Sequence, residues 1–126
     1  MKLLVVDDSS VMRKIIKAAA DMLEMETEEA EDGAEALEKL SEFYSEIDLI
    51  LLDWNMPGMN GYNALMEIKS SDMYKNIPVM MITTEGQQSN IIAAVRAGAN
   101  NYIVKPFTVE ELEAKITECL GKGGGF

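Results

Sequence analysis

The chain has 126 residues, 48% of them apolar and 26% charged, and a net charge of −11 at neutral pH. That is enough for one domain with a full core and too little for two ordinary ones, in the composition of a globular protein and not a disordered one. The charge argues against binding nucleic-acid phosphates and disfavours an anionic membrane, and a single cysteine, Cys119, excludes an intramolecular disulfide.

Partners are therefore expected to be proteins or cations. No apolar run approaches the length of a membrane span, and Met1-Lys2-Leu3 runs straight into a strand pattern with no separate leader, so a cytoplasmic protein is expected. Lys2 to Val6 is a β-branched and leucine run closed by Asp7-Asp8, the pattern of a strand ending on acids. Met12, Ile15, Ile16, Ala19, Met22 and Leu23 then recur at helical spacing behind an N-cap at Ser9 or Ser10. Glu26 to Ala30 is acidic and only weakly apolar; its place between two helices is what predicts a second strand there. Asp32 with Glu35 is a capping-box pattern that opens a helix on Ala36, Leu37, Leu40 and Tyr44.

Leu49 to Leu52 is a short apolar run suited to a strand buried on both faces, and it ends on Asp53. Pro57-Gly58 and Asn60-Gly61 force a loop after it, which turns Asp53 towards a crevice at the carboxyl end of the strand. Ala64, Leu65 and Ile68 form the inward face of a third helix. Ile77 to Thr83 predicts a fourth strand, with Pro78 near its first position, where a missing N–H does little harm. A fourth helix is predicted from Ser89 to Ala97, stopped by Gly98. Tyr102 to Val104 is the fifth strand and leads into Lys105-Pro106. Thr108 with Glu111 repeats the capping box and opens a helix on Val109, Leu112, Ile116 and Leu120, with Cys119 read as core; Gly121 to Phe126 reads as a frayed tail.

Strands that alternate with helices, without hairpin signals, imply parallel βαβ crossovers and helices on both faces of one sheet. Pattern alone does not order the strands, but their number and size fit a flavodoxin-like α/β fold, a doubly wound five-stranded sheet of order 2-1-3-4-5 with its site at the strand carboxyl ends.

That edge collects Asp7 and Asp8, Asp53, Thr83 and Lys105. Taken singly they read as a turn acid, a strand-end hydroxyl or a surface lysine; together they read as a site. Adjacent carboxylates repel unless a hard cation is shared among them, and with no histidine in the chain magnesium fits better than zinc. Magnesium beside a carboxylate, an ammonium and a hydroxyl suits phosphoryl transfer, with Asp53 as the nucleophile, Lys105 on a phosphoryl oxygen and Thr83 offering its hydroxyl to another.

The Asp7-Asp8 pair, the Asp53 to Gly61 run, Thr83 and Lys105-Pro106-Phe107, in that order and spacing, resemble the receiver domain of a two-component response regulator across essentially the whole chain. Thr83-Thr84-Glu85, Asn90 to Ala94 and Ala97-Gly98-Ala99 before Tyr102 resemble most the single-domain chemotaxis regulators that signal to the flagellar motor. The resemblance implies that Asp53 accepts phosphate from a histidine kinase, and that Asp8, Asp53 and the Asn55 carbonyl hold Mg2+ while Asp7 orients its waters. It implies that Tyr102 moves with Thr83, that Asn55 and Glu85 tune the lifetime of the phosphoryl group, and that Lys105-Pro106 is cis. Ile91, Tyr102 and Lys115, on helix four, strand five and helix five, would face a partner such as the motor switch, with a phosphatase as a further candidate partner. The expected molecule is a monomer of one receiver domain spanning residues 1–126, with no fused output domain, and not an enzyme beyond its own phosphorylation and dephosphorylation. Two alternatives stay open: a phosphorelay intermediate, and a Mg2+-dependent phosphatase with an aspartyl intermediate.

Overall fold

A computed structural model describes residues 1–84 and 87–121. Its elements alternate strictly: β1 (Lys2–Val6), α1 (Ser10–Met22), β2 (Glu26–Ala30), α2 (Gly33–Phe43), β3 (Ile47–Asp53), α3 (Gly61–Ser70), β4 (Val79–Thr84), α4 (Gln88–Arg96), β5 (Asn101–Lys105) and α5 (Val109–Gly121). All strand pairs are parallel and the order is β2-β1-β3-β4-β5, so the flavodoxin-like expectation holds.

Strand side chains alternate between the faces of a sheet, and here the alternation builds two cores. Leu4, Val6, Ile50, Leu52, Val79 and Met81 pack with Ala36, Leu40, Ala64, Leu65, Ile68 and Ala94, which puts α2, α3 and α4 on one face. Leu3, Val5, Leu49, Leu51, Met80, Ile82 and Ile103 pack with Ile16, Ala19, Ala20, Leu112, Ile116 and Cys119, which puts α1 and α5 on the other. Burying both faces is why β1 and β3 are apolar almost without interruption.

Local capping chemistry sets the helix starts. Ser9 Oγ accepts from the Met12 N–H, Asp32 from the Glu35 N–H, and Thr108 and Glu111 bond reciprocally, as the capping-box patterns predict. Gly98, at φ +104°, stops α4. The Lys105-Pro106 bond is cis. No helix among the described residues is long and apolar enough to cross a membrane.

Several expectations need correction. Met22 is 71% exposed; Ala20, outside the predicted face, is fully buried, because α1 turns its stripe towards α5 as well as the sheet. Tyr44 is likewise at the surface, its ring tilted at 55° to that of Tyr74. Pro78 precedes β4, contributing only its carbonyl, which accepts from the Ile50 N–H at 3.0 Å. α4 starts and stops one residue earlier than predicted, and β5 runs one residue further at each end. Asn60-Gly61, read as a loop breaker, is a helix start: Asn60 caps α3, accepting from the Asn63 N–H, and Gly61 is its first residue. The frayed tail was expected from Gly121, but Gly121 is the last residue of α5; residues 122–126 of that expectation lie outside the described residues.

Candidate functional site

The register levels the strand ends. Val6 lies opposite Leu52, Asp53 opposite Ile82, and Thr84 opposite Lys105, so Asp7, Asp53, Thr83 and Lys105 all arrive at one edge. Carboxylate oxygens of Asp7, Asp8 and Asp53 all lie within 4.8 Å of one another. Asp7 is fully buried, Asp53 is 3% exposed, and Asp8 faces solvent. Lys105 Nζ sits between the two buried acids, 3.4 Å from Asp7 Oδ2 and 3.4 Å from Asp53 Oδ1.

Three carboxylates against one ammonium leave local negative charge uncompensated, and the electrostatics of Asp53 record it. Burial pushes its carboxyl from an ordinary 3.8 up to about 6; the Asp7 charge pushes the same way and Lys105 opposes both. Asp53 is thus mainly ionised at neutral pH, yet held in surroundings that favour neutralising it.

The Asp7 backbone is firmly held. Its N–H donates to the Ala30 carbonyl at 3.1 Å, and its carboxylate accepts from the Ser9 N–H at 2.9 Å. On the open side, a cleft of about 440 Å³ runs between Asp8 and the segment after β3, lined by Trp54, Asn55, Met56, Pro57 and Asn60. The exposed Asn55 donates from its amide to Gln87 at 3.5 Å.

Thr83 is different. It is 1% exposed, and its Oγ1 has no hydrogen-bond partner among the described residues. A buried, unpaired hydroxyl costs stability, so it calls for an explanation. Alternation along β4 and β5 puts Thr83 on the α3 and α4 face of the sheet together with Tyr102, which packs against that core, whereas Asp7, Asp53 and Lys105 project on the α1 and α5 side. Thr83 therefore ends its strand at the acidic edge while its side chain lies on the Tyr102 face.

Of the remaining expected residues, Lys115 Nζ lies 4.8 Å from the centre of the Tyr102 ring, and Tyr102 is half-buried. Ile91 is half-buried on α4. Glu85 lies outside the described residues. Sequence reasoning missed Trp54 as a cleft wall, Gly61 as the residue seated on the Asp53 carbonyl, and Arg13, which donates to the Asp7 carbonyl. Only the position of Gly61, directly after a capping Asn, carried a sequence signal that could have found it.

The model of the response regulator receiver domain matches residues 3–117. The chain is 50% identical over 122 residues to the chemotaxis protein CheY1 of Helicobacter pylori, covering 96% of this chain and 98% of that one. It is 45% identical over 126 residues to the chemotaxis protein CheY homolog of Campylobacter jejuni, covering 99% and 96%. Among solved structures, the chemotaxis response regulator CheY4 of Vibrio cholerae is similar at a TM-score of 0.86 and 34% identity, over 94% of this chain and 98% of that one.

Proposed function

The chain belongs to the response regulator receiver family, and from that premise we propose a chemotaxis switch in which Asp53 takes a phosphoryl group from a partner histidine kinase. It is a signalling protein and not a metabolic enzyme. The observation that carries the residue assignment is Lys105, poised 3.4 Å from both Asp7 and Asp53 at the acidic edge of the sheet. There its ammonium can meet a phosphoryl oxygen without first leaving a remote partner.

In the proposed step an Asp53 oxygen attacks the phosphorus of a phosphohistidine in line with the ring. The P–N bond breaks, its electron pair returns to the imidazole, and the ring, protonated on its other nitrogen, departs neutral. An acyl phosphate is left on Asp53. Lys105 shifts from the two carboxylates to a phosphoryl oxygen, and the unpaired Thr83 hydroxyl donates to another. That explains why the fold tolerates an orphan group there.

The donor set fits a hard divalent cation, since it consists of carboxylates in excess of the local positive charge and the chain has no histidine. Asp8, Asp53 and the Asn55 carbonyl would hold Mg2+, with Asp7 orienting its waters. The ion would supply charge neutralisation for the transferring group. Drawing Thr83 towards the phosphoryl group empties space on its own face of the sheet, where Tyr102 packs. Tyr102, Lys115 and Ile91 would then form the surface read by a target such as the motor switch. Asn55 would help set the lifetime of the phosphoryl group, from its place at the cleft and its bond to Gln87.

Intact-mass measurement with Mg2+ and a small-molecule phosphodonor tests the chemistry. One added phosphoryl group, lost in Asp53→Asn and on chelation of Mg2+, is expected. Its absence in protein that binds Mg2+ would remove Asp53 as the acceptor. Stable capture of a target by the phosphorylated protein separates a switch from a relay that passes the group on.

A further inference from the structure

Resting on that metal-site reading, we propose that Arg13 is a positioning residue for the acidic edge, holding the Asp7-Asp8 peptide in the orientation that turns both carboxylates towards Asp53. The Arg13 side chain is 12% exposed. Its Nη1 donates to the Asp7 carbonyl at 2.7 Å, its Nε donates to Glu29 at 2.9 Å, and its Nη2 lies 3.7 Å from Glu31. One planar group thereby ties α1, the edge strand β2 and the acidic turn.

The bond to Asp7 matters because of what that carbonyl belongs to. The C=O of Asp7 and the N–H of Asp8 share one rigid peptide plane, so fixing the oxygen fixes the direction in which Asp8 leaves the turn. Asp7 itself is secured on its amide and carboxylate by Ala30 and Ser9. Asp8 is exposed and has no comparable bond among the described residues. Arg13 supplies the missing constraint, and Glu29 and Glu31 hold the guanidinium in place. Arginine suits this task because its planar fork makes several bonds in fixed geometry, which a lysine ammonium cannot.

Charge and geometry predict opposite signs. Removing a positive charge near three carboxylates should strengthen Mg2+ binding, whereas loosening the turn should weaken it. The sole tryptophan, Trp54, lines the same cleft as Asp8, so its fluorescence serves as the readout of binding. Titrations with MgCl2 on the unmutated protein, Arg13→Gln and Arg13→Lys, with urea unfolding in parallel, decide the matter. Groups behind metal ligands typically govern affinity by a factor of ten or more, so Arg13→Gln is expected to weaken Mg2+ binding about tenfold. Arg13→Lys keeps the charge and loses the fork, and about threefold weakening is expected, with no dependence on any change in the urea midpoint. At saturating Mg2+ the phosphorylation rate of either variant should return close to that of the unmutated protein. Unchanged or tighter Mg2+ binding in both variants overturns the proposal. Should Arg13→Gln fail to fold, Arg13→Lys carries the test alone. Failure of the unmutated protein to bind Mg2+ would instead sink the metal reading itself, and is visible without any variant.

Discussion

Gly61 is seated directly on the main-chain carbonyl of Asp53: a Cβ at that position would collide with the Asp53 carbonyl and come within 2.8 Å of the Trp54 Cα. The Gly61 N–H also donates to the Trp54 carbonyl at 2.9 Å, so the first turn of α3 clamps the end of β3. The colliding atoms are backbone, and neither partner can yield by a rotamer change.

Gly61→Ala should therefore lift α3 away from β3. The expected cost is about 1–3 kcal/mol of stability, as for other overpacked sites. Because the displaced atoms carry the Asp53 side chain, phosphorylation should slow by more than the stability loss accounts for. Urea midpoints and phosphorylation rates on the same samples check this, and a normal rate in a destabilised variant would contradict it.

Asp53 should make stability depend on pH with a defined sign. Its folded pKa, about 6, lies above the ordinary 3.8 of an unfolded carboxyl, chiefly through burial. The unfolded chain thus loses this proton first. The contribution of Asp53 is fully present below about pH 4 and is lost as the pH rises through about 6. Asp53→Asn should consequently be more stable than the unmutated protein at pH 7.5 by about 2–3 kcal/mol in the absence of metal, and nearly equal to it at pH 4. Mg2+ should narrow the gap by stabilising the ionised form. Urea unfolding at the two pH values, with and without Mg2+, measures both effects.

Thr83→Val should separate stability from signalling. The hydroxyl it removes is buried and has no partner among the described residues, so the unphosphorylated protein is expected to gain about 1 kcal/mol. The phosphorylated form, deprived of the group proposed to meet the phosphoryl oxygen, should lose its advantage in target binding. A destabilised Val variant would mean that Oγ1 has a partner in solution.

Lys69 ties the far end of α3 to Asn100, the residue just before the strand that bears Tyr102. Its Nζ donates to the Lys75 and Ile77 carbonyls at 3.1 and 3.0 Å and to Asn100 Oδ1 at 3.1 Å, while Asn100 also accepts from the Val79 N–H. Burial holds its pKa below the usual lysine range. Lys69→Met would strip a donor from three acceptors and should cost about 2 kcal/mol or more. Mg2+ affinity should be unchanged, because the clasp lies at the opposite end of α3 from Gly61. Equal stability in urea would show that the ammonium contributes nothing net.

Much of this molecule was legible along the chain, because its signals are local. Apolar runs such as Leu49 to Leu52 marked buried strands, Thr108 with Glu111 marked a helix start, and Gly98 marked a stop; each works through neighbours within a turn or a pleat. The acids at the ends of β1 and β3 were equally visible. β2 was hard to see, since Glu28 and Glu29 in it owe their place to Lys39 and Arg13 on neighbouring helices. The exposure of Met22 was hidden for the same kind of reason: α1 packs against α5 as well as the sheet, and helical spacing cannot say which second neighbour a helix will have. The tertiary structure alone brought Lys105 to Asp7, 98 positions away, left the Thr83 hydroxyl, on the face of Tyr102, without a partner among the described residues, and laid Arg13 on the Asp7 carbonyl. Those relations depend on strand order and register. They are set by how four crossovers and the closing helix pack, a balance of contacts among segments remote in sequence, and no local periodicity encodes them.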